Sequence, residues 1–109
     1  MNAAELGDVE LMKTLVKNGL NLNTGDYDRL TPLHVSARYG QLEMVKYLAL
    51  SGVNINALDR WGSTPLNYAQ TNHSTEVEKY LTSRGGYNGT QFSTKEMELF
   101  NAVTLTADE

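Results

Sequence analysis

Side chains able to perform nucleophilic or acid–base catalysis are few in this 109-residue sequence. It contains two histidines, His34 and His73, and no cysteine. A histidine acts as a general base only when a nucleophile or an orienting group lies beside it, and neither a Gly-x-Ser-x-Gly elbow nor a His-Glu-x-x-His pair occurs. A glycine-rich phosphate loop is also missing. We therefore predict that this chain is not an enzyme by itself and needs no cofactor.

Three aspartates, Asp26, Asp28 and Asp59, are the strongest candidates for a metal site. A calcium loop places its oxygen ligands at almost every second residue over one short segment, and these aspartates do not have that density. We predict that they bind no metal and serve the turns in which they lie.

Charge and composition exclude several classes of partner. The net charge is −4 and the nine lysines and arginines are spread along the chain, whereas a nucleic-acid site needs a clustered basic surface. No apolar run approaches the roughly 18 residues of a membrane span, and no signal pattern opens the sequence. The simplest expectation is a cytoplasmic protein that contacts neither membrane nor nucleic acid.

The residues from 31 to 52 predict two short helices joined by a tight turn. Thr31 suits a helix N-cap and Pro32 the first helical position, while Gly40 suits the left-handed residue that ends a helix. A second apolar stripe begins directly afterwards and is terminated by Gly52. Its members are Leu42, Val45, Leu48 and Ala49. Both helices are shorter than the roughly 12–15 residues that an isolated helix needs, so stacking on neighbours must stabilise them.

The same pattern recurs with a period of about 33 residues, and the register also runs backwards to the start of the chain. Gly19-Leu20-Asn21-Leu22-Asn23 corresponds to Gly52-Val53-Asn54-Ile55-Asn56. Other pairs in this register are Asp26 and Asp59, Thr31 and Thr64, Pro32 and Pro65, Leu33 and Leu66, Tyr47 and Tyr80, and Gly52 and Gly85.

Period and motif together resemble the ankyrin repeat family over residues 2–86. The resemblance implies an all-α ankyrin-repeat solenoid of stacked helix-turn-helix units with β-hairpin-like turns. We predict a partial repeat at 1–24, full repeats at 25–57 and 58–86, and a final segment at 87–109. In this family the histidine of the motif makes structural hydrogen bonds, and the scaffold residues would be Thr31, Pro32, Leu33, His34, Thr64, Pro65 and Leu66.

Several residues depart from the family pattern. Arg29 stands where the family has a glycine with positive φ, a strain of roughly 1 kcal/mol. Asn67 replaces the motif histidine, which puts the hydrogen bonds of that turn in doubt. Polar residues make the third repeat look terminal, because an outer face should be polar. These residues are Gln70, Glu78 and Thr82.

The last segment keeps the phase of the repeat without its motif. Ser93-Thr94-Lys95-Glu96 has a capping-box pattern, followed by an amphipathic stripe, which predicts a helix over residues 94–105. This helix either covers the end of the stack or begins a degenerate fourth repeat. We expect a monomer unless the ends of the stack are left uncapped.

An ankyrin stack binds its partners on a concave surface formed by the turn tips and the exposed sides of the first helices. The family register then assigns partner-binding positions, with Glu5 and Leu6 on the partial repeat. We hypothesise that Arg38, Tyr39, Arg60 and Trp61 form one anchoring patch, since arginine and large aromatics are enriched at interface hot spots. The alternative is that the aromatics pack on neighbouring elements and that Arg38 and Arg60 only pair with aspartates of the turns. The full set is Tyr27, Asp28, Leu30, Arg38, Tyr39, Arg60, Trp61, Ser63, Thr71 and Asn72.

The resemblance favours a protein–protein interaction module whose partner is another protein. A second hypothesis comes from the turns, Asp26-Tyr27-Asp28 and Asp59-Arg60-Trp61-Gly62, which are similar to ankyrin segments appended to glutaminases and asparaginase-type amidohydrolases. Under that hypothesis the chain regulates or assembles a larger enzyme.

Overall fold

The computed structural model describes residues 2–89, and these form six α-helices without a strand. The helices are α1 (Asn2–Leu6), α2 (Val9–Lys17), α3 (Pro32–Arg38), α4 (Leu42–Leu50), α5 (Pro65–Thr71) and α6 (Thr75–Ser83). The helix predicted over residues 94–105, and with it the choice between a covering helix and a fourth repeat, lies outside the described residues.

The helices form three pairs stacked side by side. Helix α3 packs against α1 and α5, so the first helices of the pairs form one row, and α4 packs against α2 and α6 in a second row. The core lies between the rows, where Leu33, Val45 and Leu48 are buried together with Met44, whose side chain is fully enclosed. The expected all-α repeat solenoid is therefore confirmed.

Backbone conformation repeats with the same period as the sequence. Positive φ angles occur at Gly7, Gly40 and His73, which occupy equivalent positions of the three repeats and follow α1, α3 and α5. A left-handed conformation is easy for glycine and uncommon for other residues. The third repeat therefore carries His73, with φ of 56°, at a position where the other two have glycine.

Candidate functional site

His34 is the most enclosed titratable side chain of the described residues, and both ring nitrogens are engaged. Nε2 lies 2.9 Å from the backbone oxygen of Ser63, which can only accept, so Nε2 carries the proton. Nδ1 then accepts from the backbone N–H of Thr31 at 3.1 Å. Burial lowers the pKa of His34 below its ordinary value of 6.5, which keeps the ring neutral. The imidazole therefore joins the second repeat to the turn of the third and has no free nitrogen for catalysis.

The turns before α3 and α5 are built in the same way by an aspartate. Oδ1 of Asp26 accepts from the backbone N–H groups of Asp28 and Leu30, at 2.9 and 3.0 Å. Oδ1 of Asp59 accepts likewise from Trp61 and Ser63, both at 2.9 Å. Between residues 2 and 89 no group of three or more histidine, aspartate or glutamate side chains is arranged to hold a metal ion.

Arg29 has φ of 60° in the first of these turns, and Gly62 has φ of 75° at the equivalent position of the second. The turn therefore demands a left-handed residue in both repeats. Arg29 adopts that conformation although its Cβ makes it costly.

Arg60 links the two turns to each other. Its backbone N–H donates to the carbonyl oxygen of Asp28 at 2.8 Å, and its Nη1 lies 3.2 Å from Oδ1 of the same residue. The guanidinium also lies 5.4 Å from the ring centre of Trp61, within cation–π distance. Arg60 and Trp61 are thus held at the tip of the turn by contacts on both sides.

Tyr68, in α5, also contacts this turn, and it was not among the residues predicted from the sequence. Its hydroxyl donates to Oδ2 of Asp59, and its ring meets the ring of His34 edge to face at 5.7 Å. Burial, followed by the hydrogen bond to Asp59, raises the pKa of the Tyr68 hydroxyl, while the positive charge of Arg38 acts in the opposite direction. Tyr68 therefore contacts both the turn of the third repeat and His34 in α3.

Comparison of equivalent positions in successive repeats would have identified Tyr68 from the sequence. It is the counterpart of Val35 in the next repeat, so a hydroxyl enters a first-helix position that is aliphatic in the second repeat. That hydroxyl satisfies the second oxygen of Asp59, which is 3% exposed.

Arg38 and Tyr39 lie at the end of α3 and are both exposed to solvent. The Arg38 guanidinium lies 5.8 Å from the ring centre of Tyr39. Within the described residues Arg38 forms no ion pair, in contrast to Arg60. Its charge is thus available to a partner.

The remaining predicted contact residues differ in exposure. Tyr27 is fully exposed and Asp28 is half-buried beside Arg60, whereas Leu30 packs against the core and Ser63 is buried. We therefore exclude Ser63 and Leu30 from the surface proposed below.

Two further predicted contact residues lie at the far end of α5. Thr71 donates its hydroxyl to the carbonyl oxygen of Asn67. Asn72 is exposed and its amide nitrogen lies 3.2 Å from the hydroxyl of Ser74. Both side chains therefore remain at the surface while making contacts within their own repeat.

Asn67 replaces the motif histidine and still ties its repeat to the segment that follows. Its Oδ1 accepts from the backbone N–H groups of Thr64 at 2.9 Å and Gly89 at 2.8 Å. The Thr64 hydroxyl donates to the carbonyl oxygen of Tyr87 at 2.7 Å, and the Asn67 amide nitrogen lies 3.2 Å from Oδ1 of Asn88. The hydrogen bonds that the substitution put in doubt are thus made by an amide instead of an imidazole.

The scaffold residues of the second and third repeats have equivalent roles. Thr31 and Thr64 are the N-caps of α3 and α5, with a proline in the first turn of each helix. Leu33 and Leu66 of the same two motifs are buried in the core.

A model built from three copies of the ankyrin repeat matches residues 1–93 of this sequence. The chain belongs to the ankyrin repeat family. It is 50% identical over 38 residues to a protein of Fowlpox virus (strain NVSL) described as a putative ankyrin repeat protein, a stretch covering 35% of this chain and 27% of the viral protein. Ankyrin repeats are in general protein-interaction modules.

The crystal structure of the human ASB11 ankyrin repeat domain is similar in fold, with a TM-score of 0.73 and 29% sequence identity. The match covers 79% of this ankyrin chain and 39% of the human one. The chain thus spans well under half the length of either relative. No helix between residues 2 and 89 has the length and apolarity needed to cross a membrane.

Proposed function

We propose that this ankyrin stack is a protein–protein interaction module without catalysis of its own, and that it binds a partner protein through its concave face. We define that face as the turns at 26–30 and 59–63, without Leu30 and Ser63, together with the exposed sides of α1, α3 and α5. The observation that carries the proposal is the anchoring of Arg60 and Trp61 at a turn tip. Asp28 pairs with the exposed Arg60 side chain, and Asp59 accepts from the backbone N–H of Trp61, whose half-buried ring lies beside the Arg60 guanidinium. Rigid aromatic and arginine side chains lose little entropy on binding and are typical hot spots.

The charges of the concave face indicate which chemical groups a partner needs. Arg38 has no acidic partner among the described residues, and the ion pair between Arg60 and Asp28 is partly exposed to solvent. Tyr39 and Trp61 supply apolar surface beside these two cations. A partner segment with a carboxylate next to a large apolar side chain would satisfy both kinds of group.

Replacement of Arg38, Tyr39, Arg60 and Trp61 by alanine tests this proposal. A photo-crosslinker at Tyr27, which is fully exposed at the same face, would first identify the partner, and titration calorimetry with the purified partner would then measure affinity. We expect the fourfold variant to weaken binding by at least about a hundredfold, because two or more hot spots are lost.

The matched control removes cations from the opposite side of the stack. Lys13 and Lys46 lie 6.0 Å from the ring centres of Tyr47 and Tyr80 on the second helices, so they also pair with aromatics. Alanine at both lysines should leave affinity unchanged. Unaltered binding by the fourfold variant, with unfolding midpoints showing an intact fold, would refute the assignment of the surface.

A second candidate function is the regulation or assembly of a larger enzyme such as a glutaminase or an asparaginase-type amidohydrolase. This candidate is compatible with the matches to known proteins, which cover only 27% and 39% of the two relatives' lengths. Asp26 and Asp59, on which the resemblance partly depends, accept hydrogen bonds inside their own turns, and Asp28 pairs with Arg60, so contacts within the stack account for all three. An amidohydrolase domain encoded in the same reading frame would establish this candidate, and a frame without one would dismiss it.

A further inference from the structure

An apolar groove of about 520 Å³ is open at the end of the stack formed by α1 and α2. Its walls include Ala3, Leu11, Met12, Leu15, Leu20 and Pro32. Leu11, Leu15 and Leu20 are 41%, 38% and 41% exposed, an unusual concentration of accessible leucine in one concave place.

The repeat register shows what this groove is shaped to hold. Leu11 and Leu15 correspond, one repeat later, to Met44 and Leu48, which are both 0% exposed in the core cluster that contains Leu33. The groove therefore presents the equivalents of two residues that share the core with the first-helix leucine of the following repeat.

The sequence contains one further segment in this register. Residues 100–109 match residues 1–10 at a spacing of three repeat periods, with asparagine, alanine, leucine and glutamate shared at four positions. Met97-Glu98-Leu99 thus directly precedes the segment that resembles residues 1–10. Leu99 has the register of Leu33 and Leu66.

We propose that the groove binds residues 94–99 of a second copy of this chain, with Leu99 filling the position that Leu33 fills in the next repeat. Gly89, from which this segment continues, packs on Gly62 and Asn67 of the third repeat, whereas the groove lies at the first. The segment of the same chain would have to cross the row of three first helices to reach the groove. The segment of a second copy can reach it from the open end of the stack. The contact is heterologous, since the groove of one copy meets the tail of another, so association can continue beyond a dimer.

Sedimentation of the full chain over a wide concentration range provides the first test. The weight-average mass should rise with concentration, and Leu99→Asp and Leu15→Glu should each lower the association constant by at least about tenfold, because a charge would enter an apolar groove. Leu11→Glu is a second groove variant. A wild-type chain that stays monomeric throughout, or a Leu99→Asp chain that associates like wild type, would overturn the proposal.

Two controls match these variants. Leu50→Glu changes a leucine that is 70% exposed and lies outside the groove, and Leu105→Asp changes a tail residue in register with Leu6, which is 73% exposed. Both should associate like wild type. Circular dichroism in urea verifies that each variant is folded, and association lost equally in the controls would contradict the assignment.

Complementation supplies a sharper test. The Leu15→Glu chain retains a wild-type tail, and the Leu99→Asp chain retains a wild-type groove. Their equimolar mixture should form a one-to-one dimer and stop at the mass of two chains, because the remaining groove and tail are both defective. A mixture that stays monomeric, or one that grows like wild type, would refute the groove-and-tail contact.

Discussion

Nε2 of His34 lies 2.9 Å from the backbone oxygen of Ser63, a residue of the following repeat. This hydrogen bond joins the first helix of one repeat to the turn of the next. Its donor is neutral and buried, so the junction depends on a ring that stays neutral at pH values above 6.5 and is costly to protonate a second time below that pH.

Stability should accordingly fall in mild acid. The folded-state pKa of His34 lies below 6.5, so the unfolded chain takes up a proton first and the stabilisation present above pH 6.5 is lost as pH falls towards the folded-state pKa. Urea midpoints measured from neutral to mildly acidic pH should show this decline. His34→Asn should flatten that part of the pH dependence, whereas His73→Asn, which changes the exposed histidine, should keep it.

His34→Asn should also lower the free energy of unfolding at neutral pH by about 1–3 kcal/mol, because the oxygen of Ser63 loses its buried donor. Asn67 shows that an asparagine can still accept from the backbone N–H at this position. A variant as stable as wild type at neutral pH would mean that another group satisfies Ser63.

Leu33→Ala should cost about 2–5 kcal/mol, since the side chain is 1% exposed in a well-packed core. Leu50→Ala is the matched control on an exposed leucine and should change stability by less than about 0.5 kcal/mol. Chemical denaturation of both variants measures the difference. Similar unfolding midpoints for the two would show that Leu33 does not support the core.

Tyr68→Phe should destabilise the protein by about 1–3 kcal/mol, because Oδ2 of the buried Asp59 would lose its donor while the ring contact with His34 stays. Tyr39→Phe removes a hydroxyl from an exposed ring and serves as the control. Thermal unfolding compares the two. Equal melting temperatures would indicate that water replaces the Tyr68 hydroxyl.

Gly89→Ala should destabilise the third repeat more than Gly52→Ala does. A Cβ at residue 89 would collide with the backbone oxygen of Gly62, which cannot move aside as a flexible side chain can. A Cβ at residue 52 meets open space and bears only the strain of φ +84°, about 1 kcal/mol. Limited proteolysis and urea midpoints should rank the variants in this order, and the reverse ranking would contradict the packing of Gly89 against the turn.

Arg29→Gly should raise the free energy of unfolding by about 0.5–1 kcal/mol, because relief of strain at φ 60° exceeds the entropic cost of glycine. Arg84→Gly replaces an exposed arginine at a C-cap with φ of −97° and should not stabilise the protein. A loss of stability on Arg29→Gly would show that the arginine side chain contributes more than its backbone costs.

Local features of the repeats were predictable from sequence because the contacts that produce them lie within a few residues. Thr31 and Pro32 begin a helix at their own positions, and the left-handed residues recur at the repeat period. The turn aspartate Asp26 bonds the backbone two and four residues later. Periodicity then identifies the stack, since helices this short must pack on one another.

Only the tertiary structure decided which side chains at equivalent positions of the repeats are accessible to solvent. Ser63 is buried against His34 of the preceding repeat, and the ring of Tyr68 meets the same histidine. Leu15 is 38% exposed while Leu48, its equivalent in the register, is enclosed in the core cluster that also contains Leu33 of the first helix. Exposure depends on what packs against a residue in the stack, and that is not contained in the residue's own repeat.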